Sequence, residues 1–189
     1  MSYPLSVPTE KLRADSARVR ARMLDAARDR LRDGDLDLPM NAIAKAAGVG
    51  VGTVYRHFPT RQVLLESLAA QSFDSLVADA QAAAADPDVA AGLARLLRTG
   101  LRILLTDPSL AAVLGGPRPE CAETAELSRD LFTSLTIVLD RARAEGVIRA
   151  DVTADDLRRL MCGVQHAVQI GGDDTADRYL EILLRGLRA

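Results

Sequence analysis

The chain has 189 residues, a net charge of −2, 48% hydrophobic and 26% charged residues, which describes a globular protein of one or two small domains able to bury a core. Aromatics are 3% and Trp is absent, so helix formers dominate and an all-α fold of about nine helices is expected. No apolar run approaches the ~20 residues of a membrane span, and Met1 to Thr9 lacks the basic start and apolar core of a signal peptide, which excludes a membrane protein and predicts a cytoplasmic one.

In chain order, residues 1–14 form a polar arm with Pro4 and Pro8, expected to be disordered, whose Lys11 and Arg13 can touch phosphates. A first helix is predicted from Asp15 to Asp33, burying Val19, Met23, Ala26, Ala27 and Leu31 and stopped by Gly34. Arg20 lies near its start, where it can face a DNA backbone. Next come two short helices in LPMNAIAKAAGVGVGTVYRHF. Ile43, Ala44 and Ala47 recur at helical spacing, Gly48 can take the positive φ of a tight turn, and Val51, Val54, Tyr55 and Phe58 begin a second stripe that Pro59 ends. This is the anatomy of a helix-turn-helix, whose second helix lies in the major groove of DNA. Through Gln62 there are eleven Lys or Arg against seven Asp or Glu, +4, which leaves −6 for the remainder: a basic head on an acidic body.

The chemistry of the head divides into grip and readout. Thr53 and Tyr55 offer hydroxyls to phosphate, His57 an imidazole N–H and Arg61 a full charge. Asn41 and Lys45 are the exposed polar members of the first short helix. Gly50, Val51, Gly52 and Arg56 face the bases, with Val51 and the Thr53 methyl suited to a thymine methyl and Arg56 to guanine. Phe58 is expected in the head core, and Tyr55 with its ring in the core and its hydroxyl at a phosphate.

IAKAAGVGVGTVYRHF, followed by PTRQVLLESL, resembles the signature of the tetracycline-repressor (TetR) family, through Ile43, Ala44, Ala47, Gly48, Val49, Gly52, Thr53, Tyr55, His57, Phe58 and Arg61. The departures are Leu38, Pro39 and Met40 where the family usually has a Thr, and Gly50 where Ser is common. The resemblance implies a DNA-binding head over residues 15–61 and a ligand-binding and dimerisation body over 62–189. It further implies a transcriptional repressor that binds a palindromic operator on double-stranded DNA as a homodimer and is released by a hydrophobic or aromatic small-molecule effector. A ligand-independent regulator or an activator of the same fold stays open. A helical enzyme is disfavoured, because the chain has two His, one inside the DNA motif, and neither a nucleophile elbow nor a phosphate loop.

Thr60 is a plausible cap for a long fourth helix to about Ala84, which in the family is the lever between effector and head. A fifth helix follows from about Asp88. A short sixth starts at Asp107-Pro108 and stops at Gly115-Gly116, and GGPRPECAE forms a loop before a seventh helix, Cys121 to Glu145. Thr153 with Asp156 makes a capping box for an eighth helix ending at Gly171-Gly172, and Asp173 or Asp174 caps the ninth. Family resemblance places an effector among Leu97, Leu101, Arg102, Leu105, Phe132, Leu135, Met161, Gln165 and His166, each apolar one also readable as core. His166, Gln165 and Arg102 interrupt apolar stripes, and a buried polar group needs a partner. Leu160, Val164, Val168, Tyr179, Leu180, Leu183 and Leu187 are expected to give two helices per subunit to a four-helix dimer bundle, or else to fill the monomer core. Cys121 and Cys162 are too few for zinc or a CxxC site and read as ordinary thiols; neither metal nor cofactor is expected.

Overall fold

The computed structural model describes residues 9–189, apart from the side chains of residues 9–12 and 173. Among the described residues there are nine α-helices and one 3-10 turn: α1 Thr9–Arg32, α2 Met40–Ala47, α3 Val51–His57, α4 Arg61–Ala85, α5 Val89–Thr106, α6 Pro108–Gly115, α7 Ala122–Ala144, α8 Ala154–Gly171, the 3-10 turn Asp173–Thr175 and α9 Ala176–Leu187. The all-α expectation holds. The only extended pairing among the described residues is an isolated antiparallel bridge between Ile148 and Arg188, which ties the α7–α8 connection to the end of α9. No helix among them is long and apolar enough to cross a membrane.

α1 begins six residues before the expected Asp15, because nothing from Thr9 to Ala14 opposes a helix once Pro8 is passed. The predicted arm is therefore helical from Thr9, and its first eight residues, like the Lys11 side chain, lie outside the described residues. Pro39 stands one position outside α2 as its N-cap, and its carbonyl accepts from the Ala42 and Ile43 N–H groups. The last helix also starts later than predicted. The chain passes through the 3-10 turn first, and Thr175, not Asp173 or Asp174, occupies the N-cap of α9. The capping box of α8 forms as read: Thr153 Oγ1 accepts from Asp156 N at 3.1 Å and Asp156 accepts from Thr153 N at 3.0 Å. Thr60 Oγ1 accepts from Val63 N at 3.1 Å at the start of α4.

Two compact units divide in sequence between Leu68 and Ala69. The first two turns of α4 belong to the head because Leu64, Leu65 and Leu68 are buried there with Met23, Ala27, Leu31, Leu38, Ile43, Val54 and Phe58. In the body, α5 is the hub: it touches α6, α7, α8 and α9 and buries Leu93, Leu96, Leu97, Leu101 and Leu104. Gly92 lets α5 approach α4 closely, since a Cβ there would sit 3.0 Å from Asp86 Cβ and 3.2 Å from the Ala83 carbonyl oxygen.

The turn between α2 and α3 rests on Gly48, at φ 66° and ψ 40°. This left-handed conformation costs a residue with a Cβ about 1–2 kcal/mol, although a Cβ at Gly48 would meet no atom within 4 Å. Gly52, inside α3, has the same open surroundings but no positive φ. Gly48→Ala is therefore expected to lower unfolding free energy by about 1 kcal/mol, and Gly52→Ala to raise it by up to about 1 kcal/mol, in urea unfolding of the full chain.

Candidate nucleic-acid interface and body cavity

α3 has only seven residues, and it is fixed by Val54 and the adjoining Phe58, both 0% exposed. Their burial turns the other side of the helix outward. Val51 and Tyr55 are 46% and 51% exposed, Arg56 and Gly52 are exposed, and Thr53 and His57 are half-buried. Gly50 caps α3 through its carbonyl alone, which accepts from Thr53 N at 2.8 Å. On α2, Asn41 and Lys45 are exposed while Ile43, Ala44 and Ala47 face inward. Asn41 Oδ1 accepts from Ala42 N at 2.8 Å, so that oxygen is occupied at the helix start.

One head residue, Tyr55, is placed differently from its sequence reading, and two more, Arg20 and Arg61, have internal partners that the sequence does not announce. The Tyr55 ring lies in solvent, not in the core, because Val54 and Phe58 already take the two inward positions of this turn. Arg20 stacks over the Phe58 ring, with its guanidinium carbon 5.1 Å from the ring centroid, and donates from Nη2 to Ser67 Oγ at 3.0 Å. This joins α1 to the start of α4. Arg61 donates from Nε to the Asp37 carbonyl at 3.1 Å and from Nη2 to the Leu36 carbonyl. Its guanidinium therefore closes the α1–α2 connection, where Leu38 is fully buried at a positive φ of 46°.

In the body a cavity of about 50 Å³ lies under α5, α7 and α8, walled by Leu76, Leu97, Leu104, Leu131, Leu135 and Met161 and edged by Leu114, Arg158 and Cys162. Burial pushes the Cys162 thiol up from its ordinary pKa, and nearby Arg158 only partly offsets this. Next to it a larger cleft of about 480 Å³ is lined by the Gly116–Pro119 turn, Phe73, Phe132, Asp155, Arg158 and Arg159. A third groove, about 610 Å³, runs between α5 and α9 along Arg98, Leu101, Arg102, Leu105 and Leu180.

The family model described as "Bacterial regulatory proteins, tetR family" matches residues 23–68, and "Transcriptional regulator SbtR-like, C-terminal domain" matches residues 97–189. The chain belongs to the TetR family. It is thus a DNA-binding transcriptional regulator and not an enzyme. Among curated proteins no significant match is found. Among solved structures, TetR regulator SCO0520 from Streptomyces coelicolor is 27% identical, with a TM-score of 0.54, over 89% of this chain and 98% of that one. PfmR from Thermus thermophilus shares the fold at 20% identity and TM-score 0.61, covering 90% of this chain and 97% of its own. FadR from Bacillus subtilis, solved in complex with stearoyl-CoA, shares it at 18% identity and TM-score 0.62, covering 89% and 100%.

Within this TetR-family body, the predicted effector residues scatter. Leu135 and Met161, with Leu97, line the leucine cavity; Phe132 lines the cleft beside it; Leu101, Arg102 and Leu105 line the α5–α9 groove. Arg102 and His166 are exposed, so neither is the buried polar group that the apolar stripes suggested, and Gln165 is buried but lines none of these three. Of the predicted interface set, Val168, Leu180, Leu183 and Leu187 are buried within the single chain, and Val164 and Tyr179 are half-buried. Leu160 alone of the seven is exposed; Ile137, Ile170 and Ile182 join it on the surface. Arg158 is a cleft residue that sequence reasoning misses, although its place between Leu157 and Met161 on an otherwise buried helical face is an available signal.

Arg61 and Lys45 are both exposed cations of the head, but only Arg61 holds carbonyls of its own chain. Arg61→Ala should cost about 1–2 kcal/mol of stability in chemical denaturation, whereas Lys45→Ala should change it by less than ~0.5 kcal/mol.

Proposed function

We propose that the protein is a cytoplasmic homodimeric repressor that binds a palindromic operator and is released by a small-molecule effector. The observation that carries the DNA part is the outward face of α3. Val51, Gly52, Tyr55 and Arg56 are presented to solvent by a helix that two buried side chains hold. Gly52 has nothing within 4 Å of where a Cβ would stand, which leaves the backbone free to approach another molecule. Arg56 reads guanine, Val51 meets a thymine methyl, and the Tyr55 hydroxyl, Thr53, His57, Lys45 and Asn41 grip the backbone. Arg20 and Arg61 contribute mainly by fixing the head, and any phosphate contact uses the N–H groups their internal bonds leave over.

A single head reads a short half-site, so two heads ~34–36 Å apart on successive major-groove faces are needed for useful affinity. The apolar surface that supports pairing is Leu160, Ile170 and Ile182, of which the last two are 76% and 57% exposed. On α9, Ile182 lies opposite the inward stripe of Leu180, Leu183 and Leu187. Effector release follows from linkage: a ligand that prefers the non-binding arrangement of the dimer needs about 1–3 kcal/mol of coupling to change operator affinity 5- to 150-fold. The stearoyl-CoA complex of Bacillus subtilis FadR supports an effector on this fold.

A duplex carrying the protein's own promoter should bind in a salt-sensitive manner; absence of such binding by pure protein overturns the reading. Tyr55→Phe is expected to weaken binding evenly across sequences, and Arg56→Ala to change base preference at one position of each half-site by about 1–3 kcal/mol, both read by selection from random DNA. Ile182→Glu should give a folded monomer in sedimentation and lose operator affinity, whereas the similarly exposed Leu36→Glu in the head should leave the dimer intact.

A further inference from the structure

The leucine cavity and the neighbouring cleft share two residues, Leu114 and Arg158. One side of that shared wall is aliphatic: the cavity carries no aromatic side chain, and its one charged group is Arg158 at the edge. The other side is cationic. Arg118, Arg158 and Arg159 line the cleft against the single carboxylate of Asp155, an excess of two positive charges. Asp155 is engaged by Arg158 at 2.8 Å and by Arg159 at 2.6 Å, and Arg158 also donates to the Leu114 carbonyl, which fixes it at the boundary. Arg118 forms no ion pair among the described residues and stands on the turn that follows α6. That turn is held by Gly116, where a Cβ would lie 2.6 Å from the Ala112 carbonyl oxygen.

We infer that the effector is an amphipathic anion, with a carboxylate or phosphate head on Arg118 and Arg159 and an unbranched aliphatic tail passing Leu114 into the leucine cavity. The inference rests on the effector reading above and gives it a chemical class. Both halves are needed. An uncharged hydrocarbon leaves the cationic cleft unmatched, and a bare anion gains nothing from the cavity. The cavity's 50 Å³ is about the space of three to five waters, enough for a chain end and too little for a ring system. Met161 on its wall is an unbranched, adaptable side chain that can shift to lengthen it. Arg recognises carboxylate and phosphate alike through paired N–H donors, so the head chemistry is common to both.

The test is calorimetric titration of the full-length protein with decanoate, decyl phosphate, 1-decanol and inorganic phosphate, with operator binding measured on the same preparation. At least one of the two decyl anions should bind saturably, the tighter of them naming the head. 1-Decanol should bind at least about tenfold more weakly and inorganic phosphate not measurably, while Arg118→Ala and Arg159→Ala should each weaken the anion about tenfold and leave 1-decanol unchanged. In Cys121→Ser protein the bound anion should slow alkylation of Cys162, which lines the cavity. Equal binding of 1-decanol, unaltered anion affinity in both Arg variants, no protection of Cys162, or no anion binding by protein that still holds its operator would each overturn the inference. Failure to bind operator in the absence of any ligand would instead sink the regulator reading and leave the ligand result standing.

Discussion

A helix of seven residues cannot persist in water on its own hydrogen bonds, so the reading helix of this protein exists only through what anchors it. The anchor is small: Val54 inside the helix and Phe58 just beyond it, both fully buried. The rest of the head serves those two. α1 and α2 supply the core around them, Arg20 covers the Phe58 ring, and Arg61 secures the connection through which α2 is delivered. Because only one side of α3 is spent on packing, Val51, Gly52, Tyr55 and Arg56 remain available on the other.

The body is organised on a different principle. α5 is buried along much of its length and meets four other helices, so it behaves as a core rather than as one wall of a layer. Around such a hub, small gaps collect where leucines of unequal reach meet. The leucine cavity is one of these, and the cationic cleft beside it gives that gap a chemical direction.

The fold and the head are largely legible in the sequence because their signals are local. Gly48 at the turn, the Thr153–Asp156 capping box and the Thr60 cap each involve residues within a few positions of one another, and each forms as its spacing implies. What the sequence does not announce in the head is long-range. Arg61 reaches 24 and 25 residues back to Asp37 and Leu36, and Arg20 crosses to Ser67, contacts that no periodicity announces. In α8 and α9 the stripe Val168, Leu180, Leu183 and Leu187 is as apolar as any interface, yet it is consumed by the chain's own core; the surface isoleucines Ile170 and Ile182 sit off that stripe, where periodicity does not point. His166 and Arg102 look in sequence like polar intrusions into buried faces and instead point to solvent, since a helical wheel cannot say where the buried arc ends.

The raised pKa of Cys162 has a consequence for what sort of messenger the body can hear. A thiol whose burial disfavours the thiolate is a slower nucleophile than an exposed one. Peroxides and electrophiles that reach the cavity wall react with Cys162 more slowly than with an exposed thiol. The guest inferred above acts there by occupancy alone, leaving as its concentration falls, so that the response tracks abundance in both directions and erases itself without repair.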